Sequence, residues 1–522
     1  MALGRLRSVM VFTVLACAAC ARSASGKSEL HYGLTLVPTG IDPHINASSE
    51  LGIPLASVYD TLVFRDPAGG FVPGLAQRWE QSSDELRYTF ILRRDVKFQD
   101  GTPFNAQAVK ANLDRILNPA NHSQLARFLI DKVQSVTVVD PYTVQLRLSE
   151  PFAPLLDSLS QVYLGMASPV ALEKWGKDYA FHQVGTGPFQ FVEYVPGDHL
   201  TLERNPDYAW APSIYYHRIA QVQRIVFRFY ADPATRAPAL LSGEADVMGE
   251  VLPLDAATLA KDDRFSVYPV SIPGQPLQFF FNIHQAPTDD ALVRQALLAA
   301  TDRTTLVHTV FGSYSPVATG PLDAATWGAS AVIPAASYNA EQADALLRQA
   351  GWVDSNGDGF REKNGQPLHL RVVYPPWGLT PQAADLLDLQ WKKIGASVEL
   401  IQVPSFSALV EAQAGGAYNL ISMNEAGTDP YLLGTFFQTG GLYNWSGVDD
   451  PRLNSLLFDA AQAETDADRL ELYRQAQTEI ASQYLVLPIR DYVNLNVAGR
   501  RVRGLHFTAQ GWFPVLIDIG LD

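Results

Sequence analysis

Cysteine is nearly absent. The 522 residues contain two, Cys17 and Cys20, both within the first 20 positions. No disulfide can form in the remainder, so stability there has to come from core burial. Long apolar runs are missing as well: none approaches the roughly 20 residues that a membrane-spanning helix requires. Charge is sparse, with 18% Asp, Glu, Lys and Arg, and its balance is negative, −15. That balance argues against a nucleic-acid partner, because phosphate binding needs a basic surface. Signatures of catalysis are lacking too. The chain has no GxSxG nucleophile elbow, no HExxH, no Walker loop and no GxGxxG. Its ten histidines are scattered, none paired at helical ligand spacing. No catalytic residue and no cofactor is expected.

What is present begins with a targeting segment. Arg5 and Arg7 precede the apolar stretch Val9 to Leu15, and small residues follow through Ala19. Two readings remain open, an ordinary secretory signal or a lipoprotein signal in which a cysteine after small residues is acylated. Val14-Leu15-Ala16-Cys17 and Cys17-Ala18-Ala19-Cys20 are the two candidate boxes, so the expected anchor is Cys17 or Cys20. Residues 1–20 then form the signal and 21–29 a Ser/Ala-rich tether.

Hydrophobic content of 47% indicates a large globular core divided into two or three domains. Tyr88, Phe90 and Leu92 alternate with Thr89, Ile91 and Arg93, the period of a strand. Asp100-Gly101 then turns, and Asn105 caps a helix whose apolar positions are Val109, Leu113, Ile116 and Leu117. Residues 137–148 form a hairpin around Asp140-Pro141, and Ile53 to Val63 has helical spacing. After Pro273 come a buried strand over 277–282, a helix over 292–300 and a strand–helix–strand run over 368–403. The chain therefore reads as two α/β regions meeting near Tyr268 to Gln275, with the tail after Gln483 rejoining the first across a hinge.

Loop aromatics are the candidates for a ligand cleft: Trp210, Trp327, Trp377, Tyr443, Trp445 and Trp512. Asp354, Asn356 and Asp358, followed by Gly359, match the first half of a calcium loop. Position twelve is Gly365 instead of the bidentate Glu, so the stretch reads as a polar turn between a helix and a strand, and no metal is expected.

Ordered motifs then run nearly the whole length. They are LAQRWE (75–80), YTFILRRDVKFQDGTPFNAQAVKANLDRI (88–116), GTGPFQF (185–191), LERNPDY (202–208), ADPATRAPALLSGEADV (231–247) and FFFNIHQAPTDDALVRQALLAATDR (279–303). YNAEQADALLRQAGW (338–352) and LPI (487–489) follow. Together they resemble the family 5 solute-binding proteins of bacterial ABC importers, which include dipeptide-, oligopeptide- and nickel-binding proteins. The resemblance implies an α/β, two-lobed periplasmic-binding-protein-like fold with a hinged cleft and an extra subdomain in the first lobe. It implies a monomer, lipid-anchored in the periplasm or on the outer face of the cell membrane, that passes a small molecule or short peptide to an ABC permease. The expected division is 30–272 for the first lobe with a subdomain at about 60–180, 273–482 for the second, and 483–522 returning to the first.

In peptide-binding relatives an Asp four residues before a Pro pairs with the peptide ammonium. Here that position, counted from Pro430, is Ala426, and Glu425 is its acidic neighbour. The candidate ligand residues are Asn46, Asn121, Arg127, Asn424, Glu425, Thr428, Asp429, Tyr443, Trp445 and Trp512. Arg127 would grip a carboxylate and Glu425 a cationic group. A metal chelate is the alternative cargo. A secreted hydrolase or a stand-alone sensor is the alternative of another class.

Overall fold

The computed structural model describes residues 28–45, 48–334 and 337–522, and at Gln124 the backbone only. The expected signal and anchor cysteines, Asn46, and the tether up to residue 27 lie outside the described residues; the tether ends earlier than 29, because Glu29 opens a strand.

Two large sheets carry the fold. The first has seven strands in the spatial order 265–271, 493–499, 247–248, 29–34, 224–229, 199–204 and 189–195. The second has five, ordered 397–402, 369–374, 420–423, 277–281 and 486–490. Strand Leu277–Phe281 shows why the second sheet sits where it does. Phe279 and Phe281 join one apolar cluster and Phe280 another, so both faces of the strand are covered. A continuous apolar run is what such a strand requires.

A four-stranded antiparallel sheet, ordered 76–81, 87–92, 143–148 and 133–140, extends the first core. Tyr88, Phe90 and Leu92 point inward from it, as their alternation predicts. The turn at Asp100-Gly101 has Gly101 at φ +84°, and the Asp100 carboxylate accepts from the Thr102 amide at 3.0 Å. Asn105 then caps helix Ala106–Leu117, accepting from the Ala108 amide at 3.0 Å. Asn105→Ala should cost about 1 kcal/mol, read as a lower denaturant midpoint with an unchanged slope.

Two expectations change. The helix read over 53–63 stops at Val58. Tyr59 is extended, the Val58 carbonyl accepts from the Gly187 amide at 2.8 Å, and Asp60 is buried under Trp210, Thr186 and Tyr208. These long-range bonds outweigh local helix periodicity. The return to the first sheet also comes later than Gln483, because strand Val486–Arg490 pairs with Leu277–Phe281 in the second sheet. Two segments join the sheets directly, Ile272–Pro276 and Asp491–Tyr492. Two adjacent crossovers of this length form a hinge. Among the described residues, no helix is long and apolar enough to cross a membrane.

Candidate functional site

The loop after strand Leu420–Met423 is pinned at both ends. Near its start, the Glu425 carbonyl accepts from the Gln275 amide at 2.7 Å and the Gly427 amide donates to Pro273 at 3.0 Å. The loop is thereby stitched to the crossover Ile272–Pro276. A Cβ on Gly274 would fall 2.2 Å from the Glu425 carbonyl oxygen, and Gly274 has φ +133°, so this approach requires glycine. At the other end the Thr428 hydroxyl donates to Asp157 Oδ1 at 2.6 Å. Asp157 lies in the short helix Leu155–Leu159 of the first core and is ion-paired with buried Arg65. Tyr431 packs edge-on against Phe152 at 5.0 Å, and the Ala153 amide donates to the Ala461 carbonyl at 2.9 Å. The two lobes are therefore closed on one another.

Glu425 faces this closed interface. It is half-buried, and among the described residues its carboxylate makes no ion pair. Burial alone pushes its pKa up to about 7. Tyr443 and Tyr163 are raised first by burial and then by the charge of Glu425, so both surround it. Tyr163 also feels Glu50, which joins the cleft to a polar group beside the hinge.

That group comprises Tyr32, Glu50, Glu250, Arg490, Tyr492 and Trp512. Glu250 accepts from Thr35 Oγ1, and from Tyr492 at 3.3 Å. Arg490 lies 4.2 Å from the Phe311 ring centre and 4.4 Å from that of Tyr492. Several buried atoms here have no hydrogen-bond partner among the described residues: the Tyr32 hydroxyl, Trp512 Nε1, Arg490 Nε and both amide atoms of Gln275. Orphaned groups gathered at a closable interface are the mark of a site that a ligand completes.

Of the expected residues, Tyr443 lies close enough to Glu425 to feel its charge. Thr428 follows in the same loop and is taken up by Asp157, Asn424 is half-buried at the head of the loop, and Trp512 lines the separate cavity of Glu50 and Glu250. Others have different work. Arg127 is exposed and its guanidinium donates to the Leu117 carbonyl, so helix capping replaces the expected carboxylate grip. Asn121 likewise donates to the Arg115 carbonyl at 2.9 Å. Trp445 is 1% exposed and packs among Phe280, Phe436 and Tyr443 in the core instead of lining a cleft. Asp429 is held by Arg469 through two bonds of 2.8 and 2.9 Å. In the polar turn, the Asp354 carboxylate accepts from the amides of Gly357 and Gly359. Asp354 and Asp358 gather with Glu362, whose participation the motif reading missed. Glu50, Glu250, Tyr32 and Tyr163 were missed altogether. The one local signal near the hinge was Arg490-Asp491-Tyr492, a polar triplet directly after a buried strand.

Two α/β lobes, two short crossovers and orphaned polar groups at the seam define a hinged receptor that encloses a small solute. The sequence profile of the bacterial extracellular solute-binding proteins, family 5 (middle region), matches residues 70–444, and the chain belongs to that family. It is 37% identical over 319 residues, 60% of each chain, to glutathione-binding protein GsiB of Salmonella choleraesuis. With GsiB of Salmonella typhimurium it shares 36% over 471 residues, 86% of each chain. Its fold matches NikA from Brucella suis, solved in complex with Fe(III)-EDTA, at a TM-score of 0.85 and 24% identity over 95% of this chain and 100% of that one. The protein is accordingly an extracytoplasmic solute-binding component of an ABC importer.

Proposed function

We propose that the protein captures a short peptide or related polar solute with a free ammonium group, closes over it, and delivers it unaltered to a membrane permease. The observation that carries this reading is Glu425, a carboxylate with no ion pair among the described residues, whose charge is felt by Tyr163 and Tyr443 beside the interlobe seam. A ligand ammonium would supply the missing partner. It would also stabilise closure, because it gains contacts from both lobes only when they meet. Relatives named for glutathione, itself a peptide with a free ammonium, agree with that chemistry.

Acylation at Cys17 or Cys20 and a monomeric state belong to the same proposal. So does the division into lobes at 30–272 and 273–490, with the final segment crossing back at Asp491.

The test is calorimetric titration with dipeptides at several pH values. A proton and an ammonium compete for Glu425, whose pKa burial between the closed lobes raises to about 7. Affinity should therefore fall by about tenfold for each pH unit below that value. Glu425→Gln should weaken binding by about 100-fold, the worth of a charge-assisted bond, and flatten the pH profile. A carboxyl whose pKa is raised by folding adds stability at low pH that is lost as pH rises toward 7. The same variant should thus make the ligand-free protein more stable at pH 8. Turnover of a bound peptide, or binding of metal chelates in preference to every peptide, would refute the proposal.

A further inference from the structure

A second pair of carboxylates stands apart from Glu425, on the first lobe's side of the seam. Glu50 and Glu250 line one small cavity together with Tyr32, Thr35, Asn494 and Trp512. Segments far apart in sequence build it. Tyr32 comes from the central strand Glu29–Leu34, Glu250 follows strand Val247–Met248 beside it, and Glu50 precedes helix Gly52–Val58. Glu250 is held at φ +48°, its amide donating to Asn494 Oδ1 at 2.8 Å. A non-glycine residue in that conformation carries backbone strain that the surroundings must hold in place.

Neither carboxylate forms an ion pair among the described residues. The two nearest guanidinium groups are engaged elsewhere. Arg236 donates to the backbone carbonyls of Tyr230, Ala231 and Glu250 at 3.1, 3.4 and 2.7 Å. Arg490 donates to the Ser315 hydroxyl at 3.0 Å. Among the described residues the Glu50 side chain accepts from Ser48 at 2.6 Å, and its pKa is raised by burial and then by the negative charge of Glu250, against smaller lowering influences that include Arg236. Two like charges facing one cavity call for a cation between them.

The cavity also holds groups that nothing among the described residues satisfies. Tyr32 is 1% exposed and its hydroxyl has no partner, although it can accept a hydrogen bond from a cation. Trp512 is 8% exposed with an unpaired Nε1, which can donate to an oxygen next to that cation. The free space is about 10 Å³, room for one water-sized group. An ammonium is that size and a guanidinium is larger.

We propose that the Glu50–Glu250 cavity is a second cation subsite, shaped for a primary ammonium, and that the transported solute carries two amino groups. The inference rests on the peptide-capture reading above and narrows its substrate class to diamino compounds, such as a dipeptide with a lysine- or ornithine-type side chain. Glu425 takes one ammonium and the Glu50–Glu250 pair the other. The charges of Glu425 and Glu50 both act on Tyr163, which sets the two sites on either side of that ring.

Calorimetric titration of the ligand-free protein with Ala-Lys and with Ala-norleucine, the same shape without the second ammonium, tests this. Ala-Lys should bind about 10- to 100-fold tighter, the worth of a charge-assisted hydrogen bond. In Glu50→Gln and in Glu250→Gln the ratio of the two affinities should collapse toward one. If either variant fails to fold, the wild-type ratio alone decides. Equal affinities, or tighter binding of Ala-norleucine, would overturn the subsite and leave peptide capture standing. Binding of neither peptide would overturn both. Calcium chloride that binds the wild type but neither variant, while Ala-Lys and Ala-norleucine bind equally, would assign the cavity to a divalent cation and refute the ammonium.

Discussion

Arg469→Met should destabilise the protein by about 3–5 kcal/mol, the usual cost of stranding one half of a buried ion pair. Arg469 and Asp429 are each about 7% exposed by side chain, and the guanidinium meets both carboxylate oxygens. It also lies 4.9 Å from the Trp327 ring centre and 5.7 Å from that of Tyr473. Methionine would keep much of that packing, so the loss isolates the charge. What remains is a buried Asp429 whose negative charge already acts on Asp157. A double variant, Arg469→Met with Asp429→Leu, should recover a large part of the loss, because no unpaired charge is then left inside. Guanidinium unfolding of the two variants measures the difference. Equal midpoints for single and double variants would show that the pair stabilises through packing instead of charge.

The same region shows what could be read in the sequence and what could not. The period-two alternation of residues 88–92, the cap at Asn105 and the apolar run at 277–281 were legible because each signal is local. Loop 424–430 was legible as a candidate by its resemblance to the family. The loop's two ends nevertheless do different things: Glu425 faces the seam, and Asp429 is buried under Arg469 from helix Asp466–Ser482. Nothing within seven residues distinguishes those roles. Glu50 and Glu250 could not be paired in advance either: Glu50 precedes helix Gly52–Val58, Glu250 follows strand Val247–Met248, and only the tertiary fold brings the two to one cavity. Arg127 was misread for a related reason. A guanidinium suits a ligand carboxylate and a helix carbonyl equally well, and only its position past the end of helix Ala106–Leu117 decides.

Arg65→Met is expected to act on both stability and closure. Arg65 is ion-paired with Asp157, both are buried, and Asp157 also receives the Thr428 hydroxyl from the opposite lobe. Burial raises the Asp157 pKa, Arg65 lowers it, and Asp429 raises it again. Without Arg65 the two raising influences remain, opposed by the bonds from the Thr428 hydroxyl and from Gln161 Nε2 at 3.4 Å. At pH 8 the loss should be about 3–5 kcal/mol, from an uncompensated buried carboxylate. A carboxyl with a raised folded-state pKa contributes stability that is present below its unfolded value and lost as pH rises through the folded value. The deficit of the variant should therefore shrink steadily as pH is lowered from 8 toward 5, the reverse of ordinary acid destabilisation. Closure should weaken in step, because an ionised Asp157 that draws in water releases Thr428 and with it the far end of the loop carrying Glu425. Small-angle scattering of the ligand-free variant should then give a larger radius of gyration than the wild type at pH 8, and the two should converge at pH 5. A radius that does not change with pH, alongside the full stability loss, would confine Arg65 to the core of its own lobe and leave the hinge to be governed by the crossovers alone.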